Sequence, residues 1–206
     1  DAEALERLEK VDTLVVDKAR TLTEGRPGLV PVEPLAGVDK TDLLRLGASL
    51  ERASEHPLAA AIVKGAEIRE TPLAKPEEFS SLTGRGVIGR VDGKKVALGN
   101  RKLLDELGVD AAPLRARADA LRAEGQTVVY LAVDGRAAGL LGVADPVKES
   151  TPEALEVLHA EGVRVVMLTG DNRATAQAVA GRLGIDQVHA EVLPEQKSEV
   201  VKQLQS

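Results

Sequence analysis

The sequence predicts an α/β protein in which a doubly wound, parallel-sheet domain is interrupted by an inserted α+β unit. Three observations carry this reading. After Asp145 helical and strand patterns alternate strictly. Before Gly25 a short apolar run ends in a carboxylate, as strands of such sheets do at their ligand-binding edge. Between these segments the residue pattern changes to paired helices and hairpins. The boundaries fall at residues 1–25 and 144–206 for the split domain and 26–143 for the insert.

Taken in order, residues 1–10 have helical character, and Val11 to Asp17 read as a short buried strand. Gly25, Pro27, Gly28, Pro31 and Pro34 are too dense a set of breakers for a helix or a central strand, and mark a crossing between units. Helices are expected over 42–53 and 57–69, split by Ser54-Glu55-His56-Pro57. Proline favours the first helical position and pushes its predecessor to extended geometry, so Glu55 and His56 stand at a helix entrance.

Residues 87–98 alternate around Asp92-Gly93, a strong hairpin signal, directly after Gly84-Arg85-Gly86. Helices near 101–107 and 113–124 lead to strands at 127–133 and 137–143, joined by Asp134-Gly135. Beyond Asp145 come a helix capped by Thr151 with Pro152 in its first turn, a strand at 163–168, and a helix at 173–183. A short strand at 187–190 and a last helix opened by Pro194 complete the pattern.

Composition sets limits on chemistry. In 206 residues there are only two aromatic side chains, Phe79 and Tyr130, so Val, Leu, Ile and Ala must build the core. With no cysteine, disulfides, thiolate metal sites and cysteine nucleophiles are excluded. A net charge of −6 argues against a nucleic-acid partner, which would select a basic surface. No window reaches the roughly 18 apolar residues of a membrane span and DAEALERLEK is no signal peptide, so the chain by itself is expected to be soluble and cytoplasmic; a monomer is also expected.

Two strand ends carry reactive groups. Asp17 offers a carboxylate nucleophile beside the positive charge of Lys18, and Thr169-Gly170-Asp171 offers a hydroxyl and backbone N–H groups at a helix entrance. The pairing points to phosphoryl chemistry. Singly, each is an ordinary turn or cap.

Asp17-Lys18-Ala19-Arg20-Thr21-Leu22-Thr23-Glu24-Gly25 resembles the phosphorylation loop of P-type ATPases, and Thr169-Gly170-Asp171 resembles their second phosphate-site motif. Ser54-Glu55-His56-Pro57-Leu58-Ala59, Gly84-Arg85-Gly86 and Gly99-Asn100 are similar, in the same order, to the nucleotide-binding set of the heavy-metal-transporting branch. Pro194-Glu195-Gln196-Lys197 resembles the loop that brings a further lysine to the phosphorylation site, and Asp145-Pro146 resembles the hinge between domains.

The resemblance implies a Rossmann-like phosphorylation domain of the haloacid dehalogenase type, split by a nucleotide-binding domain. It also implies an enzyme fragment that uses ATP and Mg2+. Asp17 would be phosphorylated, with Lys18, Thr21, Thr169, Gly170, Asp171 and Lys197 around it. Asp17 and the backbone carbonyl of Ala19 would hold magnesium. Glu55, His56, Gly84, Gly86, Gly99 and Asn100 would bind the nucleotide, His56 facing adenine and the glycines letting the backbone approach the ligand. The implied partners are the actuator and transmembrane domains of the same pump, a copper exporter whose cytoplasmic portion this would be.

The chain departs from the pattern beside its nucleophile. Ala19 and Arg20 stand where the family has Thr and Gly, and a glycine-only backbone at position 20 would strain any other residue. The family's Gly-Asp-Gly-x-Asn-Asp motif does not occur before Ser206. ATP binding with impaired turnover is therefore expected. The alternatives are a non-enzymatic nucleotide-binding module with an inactivated loop, or an aspartate-nucleophile phosphatase. The last normally carries a second aspartate where Ala19 stands.

Overall fold

The prolines that ruled out a central strand near residue 30 are found in an edge strand, where a missing N–H costs no ladder bond. The computed structural model describes residues 12–205, so the helical character expected for 1–10 and the first residue of the Val11–Asp17 strand lie outside the described residues. Its first elements are β1 (Thr13–Asp17), β2 (Gly28–Pro34), α1 (Lys40–Glu51), α2 (Pro57–Ile68), β3 (Glu77–Leu82), β4 (Gly86–Val91) and β5 (Lys94–Gly99). Next come α3 (Arg101–Glu106), α4 (Arg115–Ala123), β6 (Thr127–Val133), β7 (Arg136–Ala144) and α5 (Thr151–Ala160). The last are β8 (Arg164–Leu168), α6 (Arg173–Leu183), β9 (Gln187–His189) and α7 (Lys197–Gln205). The chain divides into two compact units, one of residues 1–26, 123–125 and 145–206, the other of 27–122 and 126–144.

The first unit is built on a parallel sheet of order β1-β8-β9, with Asp17 opposite Leu168. Met167 of β8, Leu22 and the α6 residues Ala176, Val179 and Ala180 form its buried cluster. The segment that follows β1 is tied to Asp145 by polar contacts. Thr23, fully buried, donates from Oγ1 to Asp145 at 2.6 Å, and the Arg26 N–H donates to the other Asp145 oxygen at 2.9 Å.

Thr151 does not cap α5. The cap position is Ser150, without a side-chain bond, and Thr151 turns its hydroxyl to the Leu22 carbonyl at 2.9 Å. A tertiary bond thus takes the hydroxyl that a local cap would have used.

The second unit is a six-stranded antiparallel sheet of order β2-β7-β6-β5-β4-β3. Helices cover both faces, which explains why β6 and β7 read as nearly continuous apolar runs. Val129, Leu131 and Leu141 pack with Leu43, Leu50 and Ile62 on the α1/α2 face. Val128, Tyr130 and Leu140 pack with Leu103, Leu104 and Leu121 on the α3/α4 face. α1 starts two residues before its sequence-based limit because Asp39 caps it, accepting from the Asp42 N–H at 3.0 Å.

Both two-residue turns have positive φ at each position, with Asp92 at 50° and Gly93 at 76°, and Asp134 at 50° and Gly135 at 80°. These are the values of hairpin turns that match strand twist. β3 gave no sequence signal. Its EEFSSL run is largely exposed and bulged between Glu77 and Ser80, as befits an edge strand without an apolar alternation.

Candidate functional site

Because β1 and β8 are parallel neighbours in register, their C-terminal ends place Asp17 and Thr169 side by side at one edge of the first unit. Asp17 leaves the strand and its Oδ1 accepts the Ala19 N–H at 3.2 Å, closing a tight turn. Its other oxygen, Oδ2, accepts from Lys197 Nζ at 2.5 Å, a contact between residues 180 positions apart. Lys18, only 9 % exposed, reaches across to Asp171 Oδ2 at 2.5 Å.

Two carboxylates and two ammonium groups therefore form a pair of ion pairs at these strand ends. Thr169 is buried, and its Oγ1 accepts the Asp171 N–H at 3.1 Å. Gly170 and Thr21 are exposed nearby in sequence, and no hydrogen bond of the Thr21 side chain is among the described contacts. The structure thus brings Asp17, Lys18, Thr169, Asp171 and Lys197 together.

The loop after Asp17 follows an unusual path. Ala19 is extended (φ −65°, ψ 128°) and Arg20 is left-handed at φ 67°, ψ −18°. The backbone conformation that favours glycine is present, and a non-glycine residue occupies it. The Arg20 side chain lies over Gly25, where an added Cβ would stand 2.6 Å from the Arg20 Cγ.

Oxygen donors here have the chemistry a hard divalent cation takes. Magnesium is commonly held by one or two carboxylates together with substrate phosphate oxygens and water. The Asp17 carboxylate and the Ala19 carbonyl fit that role. Among the described residues no group of three His, Cys, Asp or Glu forms a self-sufficient cage.

The second unit holds a cleft of about 450 Å3 lined by His56, Gly84, Gly86, Gly99 and Asn100, and by Glu51. His56 caps α2, its Nδ1 accepting the Leu58 N–H at 3.1 Å, which leaves the ring exposed. Asn100 caps α3 through Oδ1 and holds the Gly84 carbonyl through Nδ2 at 2.7 Å. Glu55 is exposed and does not line this cleft.

The glycines do not all serve ligand approach. Gly86 and Gly99 face each other across β4 and β5, and a Cβ on either would run into the backbone of the opposite strand. Gly84, at φ 73°, has open space where a Cβ would be.

Glu51 escaped the sequence reading. It lies seven residues after Leu44, with Gly47 and Ala48 between on the same stripe, so helical spacing itself placed a carboxyl on the buried face of α1. It is 5 % exposed, and Oε2 has no hydrogen-bond partner among the described residues. Burial pushes its pKa up from 4.5 to about 7, against the lowering effect of a Ser54 hydrogen bond.

The folded state therefore binds more protons than the unfolded one between pH 4.5 and about 7, and stability falls as pH rises through that window. Glu51→Gln is expected to match the parent below pH 4.5 and to exceed it at pH 8 by about 3 kcal/mol. Urea melts across this range test the claim, and parallel pH profiles for the two proteins would refute it.

Comparison with known proteins bears on the family of the chain. A family model described as haloacid dehalogenase-like hydrolase matches residues 11–206. A copper-transporting P-type ATPase of Rhizobium leguminosarum bv. viciae is 52 % identical over all of this chain, which covers 24 % of that protein. A copper-exporting P-type ATPase of Legionella pneumophila is 52 % identical over 99 % of the chain and 28 % of its own length. The chain thus spans about a quarter of the curated relatives it matches.

Among solved structures, a zinc-transporting PIB-type ATPase in the E2.Pi state superimposes with TM-score 0.74 at 34 % identity, over 98 % of this chain and 32 % of the other. The family model includes both strand ends and the lysine that opens α7, and the chain belongs to the haloacid dehalogenase-like hydrolase family.

Proposed function

We propose that this chain is the ATP-binding and phosphorylation portion of a heavy-metal-transporting P-type ATPase, with copper as the exported ion. The observation that carries the reading is the strand-end quartet, in which Lys197 holds Asp17 and Lys18 holds Asp171. In the reaction an Asp17 oxygen forms a bond to the γ-phosphorus of ATP, the bond to the bridging β–γ oxygen breaks, and ADP leaves. Lys18 and Lys197 offset charge on the transferred oxygens, the Ala19 N–H steadies the nucleophile, and Thr169 donates its hydroxyl to the phosphoryl group. Magnesium, held by Asp17 and the Ala19 carbonyl, would supply further charge neutralisation.

The cleft of the second unit would take the nucleoside, with the exposed His56 ring against adenine and Glu51 hydrogen-bonding a polar edge of the base. The copper assignment follows the names of the relatives that share about half of this sequence. The partners would be the actuator and transmembrane domains of the same pump, this portion lying in the cytoplasm. Among the described residues no helix is long and apolar enough to cross a membrane.

A specific observation favours a second reading, a nucleotide-binding module with a disabled loop: Arg20 in a glycine conformation beside the nucleophile. Incubation with γ-labelled ATP separates the two. The expected result is saturable ATP binding with weak, acid-stable labelling that Asp17→Asn abolishes. Stoichiometric labelling would overturn impaired turnover, labelling that survives Asp17→Asn would overturn the assigned nucleophile, and absence of ATP binding would overturn the nucleotide site.

A further inference from the structure

The cleft of the second unit has one charged cation in its lining, Arg85, set between Gly84 and Gly86. Its backbone is fixed rather than loose. The Arg85 N–H donates to the Leu82 carbonyl at 3.0 Å, its carbonyl accepts the Asn100 N–H at 2.8 Å, and Asn100 Nδ2 holds the preceding carbonyl. The guanidinium is paired with Glu106 of α3 at 3.1 Å, with both side chains nearly half exposed. An ion pair so exposed contributes little, and its guanidinium is available to a better anion. Opposite in character is Glu51, a buried carboxyl in the same lining whose Oε2 has no hydrogen-bond partner among the described residues.

The cleft therefore has a polar but uncharged-capable floor and a cationic rim. Such a site orients an amphiphilic anion with its neutral ring system inward and its charge outward. We propose that Arg85 is the phosphate-contacting residue of the nucleotide cleft, exchanging Glu106 for the polyphosphate of ATP and so setting the ligand's orientation. Guanidinium presents a planar fork that matches phosphate oxygens in a way a point charge does not, and a charge-assisted bond to phosphate outweighs an exposed carboxylate pair. Glu106 then acts as the resting partner that keeps the arginine extended at the rim.

This inference rests on the nucleotide reading above. Its test compares ATP and adenosine binding by titration calorimetry on the whole chain. Arg85→Ala is expected to weaken ATP about tenfold while leaving adenosine affinity unchanged, and to flatten the salt dependence of ATP binding. Glu106→Gln is expected to tighten ATP two- to threefold, on the order expected for loss of one exposed competing pair. An unchanged ATP affinity in Arg85→Ala, or equal losses for ATP and adenosine, would overturn the contact. Unchanged or weaker ATP binding in Glu106→Gln would overturn the exchange. Failure of the parent chain to bind either compound would instead overturn the nucleotide reading itself, and the two failures are distinct.

Discussion

Gly99→Ala is expected to destabilise the cleft-bearing unit by about 3 kcal/mol, the upper end of the range for overpacking a tight site. A Cβ at residue 99 would meet the Arg85 carbonyl oxygen, with the Gly86 Cα at 2.9 Å and Leu103 Cδ2 at 2.8 Å. Leucine can turn away, but the other two are backbone atoms of Arg85 and Gly86 at the entrance to β4. Relief would require β4 and β5 to part at the Gly86–Gly99 pair, which also carries the Arg85–Asn100 bond and the rim of the cleft. ATP affinity should fall with stability.

Gly93→Ala is the matched control. It has the left-handed φ of 76° but nothing within 4 Å of an added Cβ, so strain of roughly 1 kcal/mol is its whole cost. Urea midpoints of the two variants decide the matter, and equal midpoints would show that crowding at residue 99 is relieved without parting the strands.

The same pair of glycines shows where sequence reading reached and where it stopped. The Gly84-Arg85-Gly86 and Gly99-Asn100 motifs are legible as local patterns, and so are both hairpin turns, because Asp-Gly states its own backbone requirement. The reason for Gly86 and Gly99 is not local. It depends on which strand lies opposite, and the backbone of that strand, rather than a ligand, fills the missing side-chain space. β3 was illegible for a related reason, since an exposed and bulged edge strand needs no apolar alternation.

The strand-end chemistry was legible in its parts. Asp17 ends an apolar run that is half-buried rather than the buried strand expected, Thr169 follows a buried one, and parallel pairing of β1 with β8 turns two separate patterns into one edge. The Lys197–Asp17 contact could not follow from spacing alone, because 180 positions separate the residues. Glu51 stood in plain view on the apolar stripe of α1, but a charged residue there reads as the end of that stripe. Only its burial and the unpaired Oε2 give it a role. Thr151 erred the other way: Ser-Thr-Pro before a helix looks like a cap, and the hydroxyl went to a carbonyl 129 residues distant.

Arg20→Gly, alone and with Ala19→Thr, is expected to raise Asp17 phosphorylation about tenfold, equivalent to roughly 1.4 kcal/mol of barrier. Arg20 holds φ 67° immediately after the turn that presents Asp17, and its side chain lies over Gly25. Glycine relieves a strain of about 1–2 kcal/mol, and added freedom in the unfolded chain takes back roughly half of that. Stability should therefore rise by less than about 1 kcal/mol, so a large gain in labelling cannot be a folding effect.

Charge gives the second half of the effect. Lys18 and Lys197 already face the two carboxylates of this edge, and on the proposed function the Arg20 side chain would add a further cation to the loop that magnesium and the phosphoryl group would approach. Removing it lowers the electrostatic cost of bringing a divalent cation to Asp17. The magnesium dependence of labelling separates strain from charge. If charge dominates, Arg20→Gly lowers the magnesium concentration for half-maximal labelling, and Arg20→Gln, which removes the charge but keeps a strained side chain at left-handed φ, does so too. If only Arg20→Gly responds, backbone strain is the cause. Labelling that neither variant changes would show that Arg20 does not limit transfer.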